Sequence, residues 1–273
     1  MRLATFNILH GRSLTDGEVD LDRFGAAVAR LDADVLALQE VDRDQPRSHG
    51  ADLTAVAAEA MGAPEHRFVA TLAGTPDLWS AADGELQPNT ASYGIALLSR
   101  HPVLSWHALA LPALTRKVPV IFPGQRVPSM VQDEPRAALA AVIEVPDPDG
   151  GRGVAMTVVS THLSFIPGWN SRQLRHLVRD LRGVPRPVVL MGDLNLEGDR
   201  AARVSRWRSL TSTNTFPLEN PARQLDHVLA DGPIEPTSLG RALDLGLSDH
   251  RALVVDVALA HEPDHSAHAS RQL

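Results

Sequence analysis

The 273-residue chain contains no cysteine. This excludes disulfides, thiolate catalysis and cysteine-rich zinc sites together. Lysine is nearly absent too: Lys117 stands alone, and the remaining positive charge is arginine. Aromatic residues make up only 4%, so Ala, Val and Leu must fill most of any core. No stretch approaches the roughly 18 consecutive apolar residues of a membrane span. The opening residues enter a strand pattern at once, without the apolar region of a signal peptide. A cytoplasmic location is therefore expected. The formal net charge of −7 offers no global field to attract nucleic acid, whose binding requires many phosphates to be neutralised. Composition thus weighs against a non-specific nuclease, although it leaves room for a local basic groove. What is present is an ordinary balance of 44% hydrophobic and 22% charged residues, sufficient for a sizeable core.

Hydrophobic periodicity divides the chain into recurring units. Residues 2–7 have a strand pattern ending in the amide Asn7, residues 21–31 have helical spacing, and DVLALQ (34–39) is a buried strand running into Glu40. The second half repeats the scheme: a strand over 153–161 ends at His162, a helix is expected over 170–181, and a strand over 187–191 opens into Asp193. Each half closes with a similar strand, over 136–145 and over 251–259. Two related α/β halves facing each other are the expected arrangement. Polar motif residues run from position 7 to position 250, so dividing the chain would split them. One domain over 1–260 is expected, followed by a disordered tail over 261–273 that carries His261, His265 and His268. Residues 77–89 and 115–134, rich in Pro and polar residues, are expected to be long loops.

The chemistry-bearing residues sit where these strands end. In VVLMGDLN (188–195), a buried strand turns at Gly192 and presents Asp193 and Asn195, beyond the carboxyl end where ligands bind in open α/β sheets. Taken alone, this Asp and Asn are equally good turn formers. Ser248-Asp249-His250 precedes a strand, and its adjacent Asp and His serve one site only where the backbone bends. Asp226 lies in an apolar strand frame and is placed to fix the tautomer of His250. Alternation turns His227 to the opposite face, in a structural role. Glu40, at the mouth of a core strand, is the kind of oxygen ligand that suits Mg²⁺ or Mn²⁺. Asp42 and Asp44 follow in a polar run and are expected to be solvated, and His10 and Arg12 are expected at the rim.

Phe6-Asn7, LQEV (38–41), STHL (160–163), GDLN (192–195), LDHV (225–228) and SDH (248–250), in that order, resemble the endonuclease/exonuclease/phosphatase superfamily. That superfamily includes DNase I-like nucleases, abasic-site endonucleases, neutral sphingomyelinases and inositol polyphosphate 5-phosphatases. The resemblance implies an α/β fold, a four-layer α/β/β/α sandwich of two mixed sheets packed face to face with helices outside. It implies Glu40 as principal metal ligand, with Asn7 and Asp249 nearby. It casts Asp193 as the group that orients or deprotonates the attacking water and Asn195 as a brace for the phosphate. His250, held by Asp226, contacts the phosphate, and His162 stabilises charge or assists the leaving group. Arg136 falls where relatives often place a phosphate-binding arginine, although Asp133-Glu134-Pro135-Arg136 fits a surface turn equally well.

The implied reaction is metal-assisted, in-line attack of water on a phosphoester. His162 leans toward a phosphodiesterase acting on a small diester, a lipid headgroup or a nucleic acid. The alternatives are a phosphomonoesterase on a phosphorylated metabolite, a DNase-like nuclease and, least favoured, an inert binding module. Trp79 and the apolar segment 118–123 fit a loop folded onto the core better than a cap on the site or a lipid contact, whereas the apolar segment 163–169, directly after His162, is better placed to shape a substrate pocket. No obligate protein partner is evident.

Overall fold

The computed structural model describes residues 1–260, apart from Asp77, Asp83, Glu85, 122–125, 147–150 and Arg152. The tail expected at 261–273 and Phe122-Pro123 of the apolar loop therefore lie outside the described residues. The first stretch runs β1 (Arg2–Asn7), α1 (Leu21–Leu31), β2 (Val35–Arg43), α2 (Leu53–Met61), β3 (Glu65–Ala73), β4 (Ser80–Ala81), β5 (Ser92–Ser99) and β6 (Val103–Ala110). The middle holds β7 (Val118–Val120), β8 (Ser129–Val131), β9 (Ala137–Val145), β10 (Val154–His162) and α3 (Trp169–Asp180). The chain then continues through β11 (Val188–Asp193), α4 (Arg200–Ser205), β12 (Arg208–Ser209), β13 (Asp226–Asp231), β14 (Ile234–Pro236), β15 (Arg241–Leu243) and β16 (Ala252–Leu259).

One sheet has the order β14-β16-β1-β2-β5-β3-β4, with β15 also paired to β16. The second has the order β12-β13-β11-β10-β9-β6. At the centre of each, a helix crossover joins two parallel strands: β1-α1-β2 in the first and β10-α3-β11 in the second. The two closing strands are exchanged between the halves. β9 lies antiparallel to β10, and β16 lies antiparallel to β1. The first sheet thus contains strands from both ends of the sequence, a pairing that periodicity cannot reveal because it is non-local.

Three apolar clusters define four layers. Phe24, Val28 and Leu31 of α1, with Leu53 and Met61 of α2, pack against Phe6, Leu36 and Leu38 on the first sheet. Leu174 and Leu177 of α3 cover Val159, Leu190 and Leu229 on the second sheet. Between the sheets, Leu3, Val35, Ile95 and Val255 meet Leu139, Met156, Val189 and Val228. This is the expected four-layer sandwich. The helix faces follow from spacing: Phe24, Ala27, Val28 and Leu31 recur at helical intervals along one side. Asp20 caps the α1 N-terminus by accepting from the Arg23 amide at 2.9 Å.

The second half of the first sheet is less visible in the sequence pattern. Periodicity does not single out α2, β3 or β5, and the loop expected over 115–134 folds partly into the β7–β8 hairpin. β2 also continues beyond the expected Gln39, because a bulge between Gln39 and Val41 lets the pairing resume. Within β11, Gly192 has φ 152°, and a Cβ there would meet the Thr161 carbonyl oxygen at 1.8 Å. Only glycine allows β10 and β11 to stay this close at the strand end that carries Asp193. Gly192→Ala is expected to lower stability by about 3 kcal/mol, read by urea denaturation, and an unchanged midpoint would refute this packing constraint.

Candidate active site

Strand alternation brings the polar residues together. On β11, Val189 and Met191 face the gap between the sheets, so Asp193 does too. On β10, Met156 and Val158 set the same face for His162, and on β13, Val228 and Ala230 set it for Asp226. Leu3 of β1 does the same for Asn7. The inner faces of both sheets are thus apolar in the middle and polar at one shared end. Glu40 breaks the rule. With Leu36 and Leu38 facing the helices, regular pleating would send Glu40 outward, but it sits in the bulge with φ 58° while Val41 takes the helix-facing place. The bulge re-aims the carboxylate toward Asn7.

The Asn7 amide nitrogen joins the two sheets, donating to Glu40 Oε1 at 3.0 Å and to Asp193 Oδ2 at 3.2 Å. Its oxygen accepts from the Leu9 amide at 3.2 Å, which fixes the side-chain orientation. The Asn195 amide N–H donates to Asp193 Oδ1 at 3.0 Å, and its side-chain nitrogen lies 3.4 Å from His162 Nε2. His250 Nδ1 meets Asp226 Oδ2 at 2.8 Å, and the same oxygen accepts from Thr215 Oγ1. His162 Nε2 and His250 Nε2 lie 3.5 and 3.7 Å from Asp193 Oδ2. Ligand atoms of Asp193, Asp226 and His250 fall within 4.8 Å of one another, close enough to hold a cation. Asp249 is half-buried beside them, with Ser248 Oγ 3.5 Å from its Oδ1.

Burial and mutual charge separate the protonation behaviour of these groups. Burial pushes the Asp193 carboxyl up to about 7, despite the opposing charge of His250. Burial disfavours the His250 cation, but the Asp226 and Asp193 carboxylates outweigh it and raise the ring to about 10. Burial holds His162 well below the usual imidazole range, reinforced by the Arg136 and His250 charges. Burial raises Glu40, the Asn7 hydrogen bond opposes this, and the Asp249 charge adds to the rise. The site therefore pairs a cationic histidine with a neutral one around an easily protonated carboxylate.

The sequence model of the Endonuclease/Exonuclease/phosphatase family matches residues 4–250. The chain belongs to this family. It is accordingly a hydrolase acting on phosphoester bonds, in a family whose members depend on divalent metal. No curated protein matches the chain. A family structure from Beutenbergia cavernae DSM 12333 is 25% identical with a TM-score of 0.68, covering 95% of this chain and 72% of that one. The mannosyl-6-phosphatase Bt3783 of Bacteroides thetaiotaomicron VPI-5482 is 16% identical with a TM-score of 0.61, covering 95% and 100%. The human Nocturnin catalytic domain, solved with a sulfate anion, is 18% identical with a TM-score of 0.62, covering 95% and 94%. These last two likenesses concern the fold.

Several expectations change. Asp42 is not solvated: it is 0% exposed and accepts two hydrogen bonds from Arg47, at 2.8 and 2.7 Å. Asp44 is exposed as expected. Asp133-Glu134-Pro135-Arg136 is no surface turn at its ends, since Asp133 and Arg136 are each 7% exposed. Arg136 Nε is buried without a hydrogen-bond partner, a donor left available next to His162. His10 lines a small cavity with Glu40, but Arg12 turns away to the Gly17 carbonyl. His227 packs on the helix side, with Nε2 2.6 Å from the Leu196 carbonyl, as alternation requires.

Sequence reasoning missed the residues that hold the site rather than form it. Thr215 braces Asp226, Asn170 Nδ2 donates to the Asn195 carbonyl at 2.7 Å, and Ser248 Oγ donates to the Asn7 carbonyl at 2.6 Å. Ser248 stands inside the SDH motif, whereas Thr215 and Asn170 carry no local signal. Tyr93, the sole tyrosine, lines the cavity beside Glu40. Asp226→Asn is expected to lower kcat by about 10–100-fold through loss of His250 orientation, with unchanged far-UV circular dichroism. Parental kcat in that variant would show that the Asp226–His250 pair is structural only.

Proposed function

We propose that this chain is a divalent-metal-dependent phosphodiesterase, folded as one domain over 1–260, that hydrolyses its substrate by in-line attack of water on phosphorus. The observation that carries the diester reading is a pair of cavities flanking the polar centre. One, of about 230 Å³, is lined on the Glu40 side by His10, Arg47, Trp79 and Tyr93. The other, of about 730 Å³, is lined on the Asn195 side by Val120, Ile121, Phe165 and Pro167. A phosphodiester carries a substituent on each side of phosphorus, and each cavity can receive one. The apolar segments at 118–121 and 163–169 supply the walls of the larger cavity.

Glu40 and Asp249 fit a hard cation. Both present oxygen donors, and the Asp249 charge adds to the raised pKa of Glu40, a repulsion that a cation would relieve. Mg²⁺ or Mn²⁺ held there would supply charge neutralisation at phosphoryl oxygens. Asn7 presents nitrogen, not oxygen, so its part is to fix Glu40 and Asp193. The Asp193, Asp226 and His250 cluster is assigned to proton and phosphate handling, because the Asp226 and Asp193 carboxylates keep the His250 ring cationic, and a protonated imidazole does not ligate a metal.

Asp193, with its pKa raised to about 7 and both oxygens positioned by Asn7 and Asn195, accepts the proton of the attacking water. Cationic His250 and the buried Arg136 guanidinium stabilise negative charge on the phosphoryl oxygens. Neutral His162, steadied beside Asn195, offers an N–H donor to the phosphate or leaving oxygen.

His250→Ala and Asp193→Asn should each reduce kcat by at least about 10²–10³ while leaving the fold intact. Bis-(p-nitrophenyl) phosphate, with Mg²⁺ or Mn²⁺, should be cleaved faster than p-nitrophenyl phosphate, and EDTA should abolish both. Faster cleavage of the monoester would replace the diester reading with a phosphomonoesterase. Parental turnover in either variant would refute the assigned roles.

A further inference from the structure

Away from the catalytic centre, a groove of about 1050 Å³ runs between α3 and α4 on the outer face of the second sheet. Its walls are built by spacing. Arg172, Arg175 and Arg179 project from one side of α3, and Arg182 follows just beyond the helix end. Arg200 and Arg203 face them from α4, with Arg206 at its C-cap. Positions three or four apart share a helix face, so these are two rows of guanidinium groups rather than a scatter. All seven are exposed.

Few of these charges are neutralised locally. Asp199 lies 3.1 Å from Arg203, and Asp180 lies 3.9 Å from Arg179 and 3.1 Å from His176. Among the described residues, no acidic group lies within 4.0 Å of Arg175, Arg182, Arg200 or Arg206. A chain of net charge −7 thus concentrates positive charge in one concave strip. With few counter-charges among them, the guanidinium groups repel one another, and a polyanion would relieve that repulsion.

We propose that the α3–α4 groove is a docking site for a single nucleic-acid strand. The arginine fork matches phosphate oxygens bidentately, and a concave strip with two charged walls fits a linear polyanion better than a flat surface. Arg172 stands 4.8 Å over the Trp169 ring, which steadies its guanidinium at the groove wall. A membrane is the less fitting occupant, because none of the exposed large hydrophobic residues among those described lies on α3 or α4. Arg200 borders both the groove and the cavity that Asn195 lines, so a strand in the groove leads to the catalytic cleft. The docking site stands apart from the hydrolytic reading, and either can fail without the other.

The test is fluorescence anisotropy of a fluorescein-labelled single-stranded 20-mer oligodeoxynucleotide in EDTA, with the whole chain and increasing salt. The parent should bind with Kd on the order of 10⁻⁴–10⁻⁶ M, and log K should fall linearly with log salt. Arg175→Glu/Arg182→Glu/Arg203→Glu should weaken binding at least tenfold and flatten the salt slope by about 0.7 for each phosphate no longer neutralised. The milder Arg175→Ala/Arg203→Ala should move both readouts the same way. Far-UV circular dichroism and the urea midpoint should stay parental in both variants, reporting a retained fold whichever phosphoester the chain cleaves. Arg241→Glu, in β15 of the other sheet, should leave binding unchanged; an equal loss there would reduce the effect to net charge and overturn the proposal. So would a parent that fails to bind the 20-mer, or one that binds phosphatidylserine vesicles in preference to it.

Discussion

One side-chain amide ties the molecule together. The Asn7 nitrogen donates to Glu40 of the first sheet and to Asp193 of the second, so the ends of two separate sheets share one hydrogen-bond fork. Carboxylates buried between sheets are costly unless they are hydrogen-bonded or paired. Asn7 meets that demand for two of them at once, Asn195 meets it again for Asp193, and Thr215 and His250 meet it for Asp226. The apolar packing between the sheets holds the layers together, but this polar end sets which residues of one sheet stand opposite which of the other.

The polar end also depends on unusual backbone. Glu40, Asn195 and Ser248 all have positive φ, at 58°, 51° and 70°. Such conformations cost roughly 1–3 kcal/mol each and persist where the surroundings over-determine them. Here the surroundings do so. The bulge is held within β2–β5 pairing, Asn170 grips the Asn195 carbonyl, and Ser248 bonds the Asn7 carbonyl while its amide donates to the Arg12 carbonyl at 2.7 Å. Three strained positions in three chain segments deliver a carboxylate, an amide and the Asp249-His250 pair to one place. A site built this way is positioned before substrate arrives, which is where most electrostatic catalysis originates.

Charge is partitioned as sharply as polarity. The net value of −7 averages over a polar strand end rich in carboxylates and an arginine groove on the outer helices. Net charge describes the whole surface and does not fix the field over any one strip of it. Side-chain spacing on α3 and α4 decides the local field, and only the packing of those two helices places the rows face to face.

Much was legible in the sequence because it is local. β1 and α1 follow from apolar periodicity with the boundaries expected, and the strand-end positions of Asn7, His162, Asp193 and Asp226 follow from counting along each strand. Alternation alone also separated Asp226 from His227. The placement of β16 beside β1 was not legible, because strand partners more than 200 residues apart leave no periodic trace, and periodicity does not say to which sheet β9 goes when it pairs with β10. Nor were Asp42 and Arg136, polar residues whose burial depends on Arg47 and on the neighbouring sheet rather than on their own segment. By itself the sequence determined which residue types stand at the strand ends, since pleating and spacing are written in it. Only the tertiary structure decided that Asn7 bridges Glu40 and Asp193, because a bulge that redirects one side chain and a contact between two sheets arise only when distant segments pack.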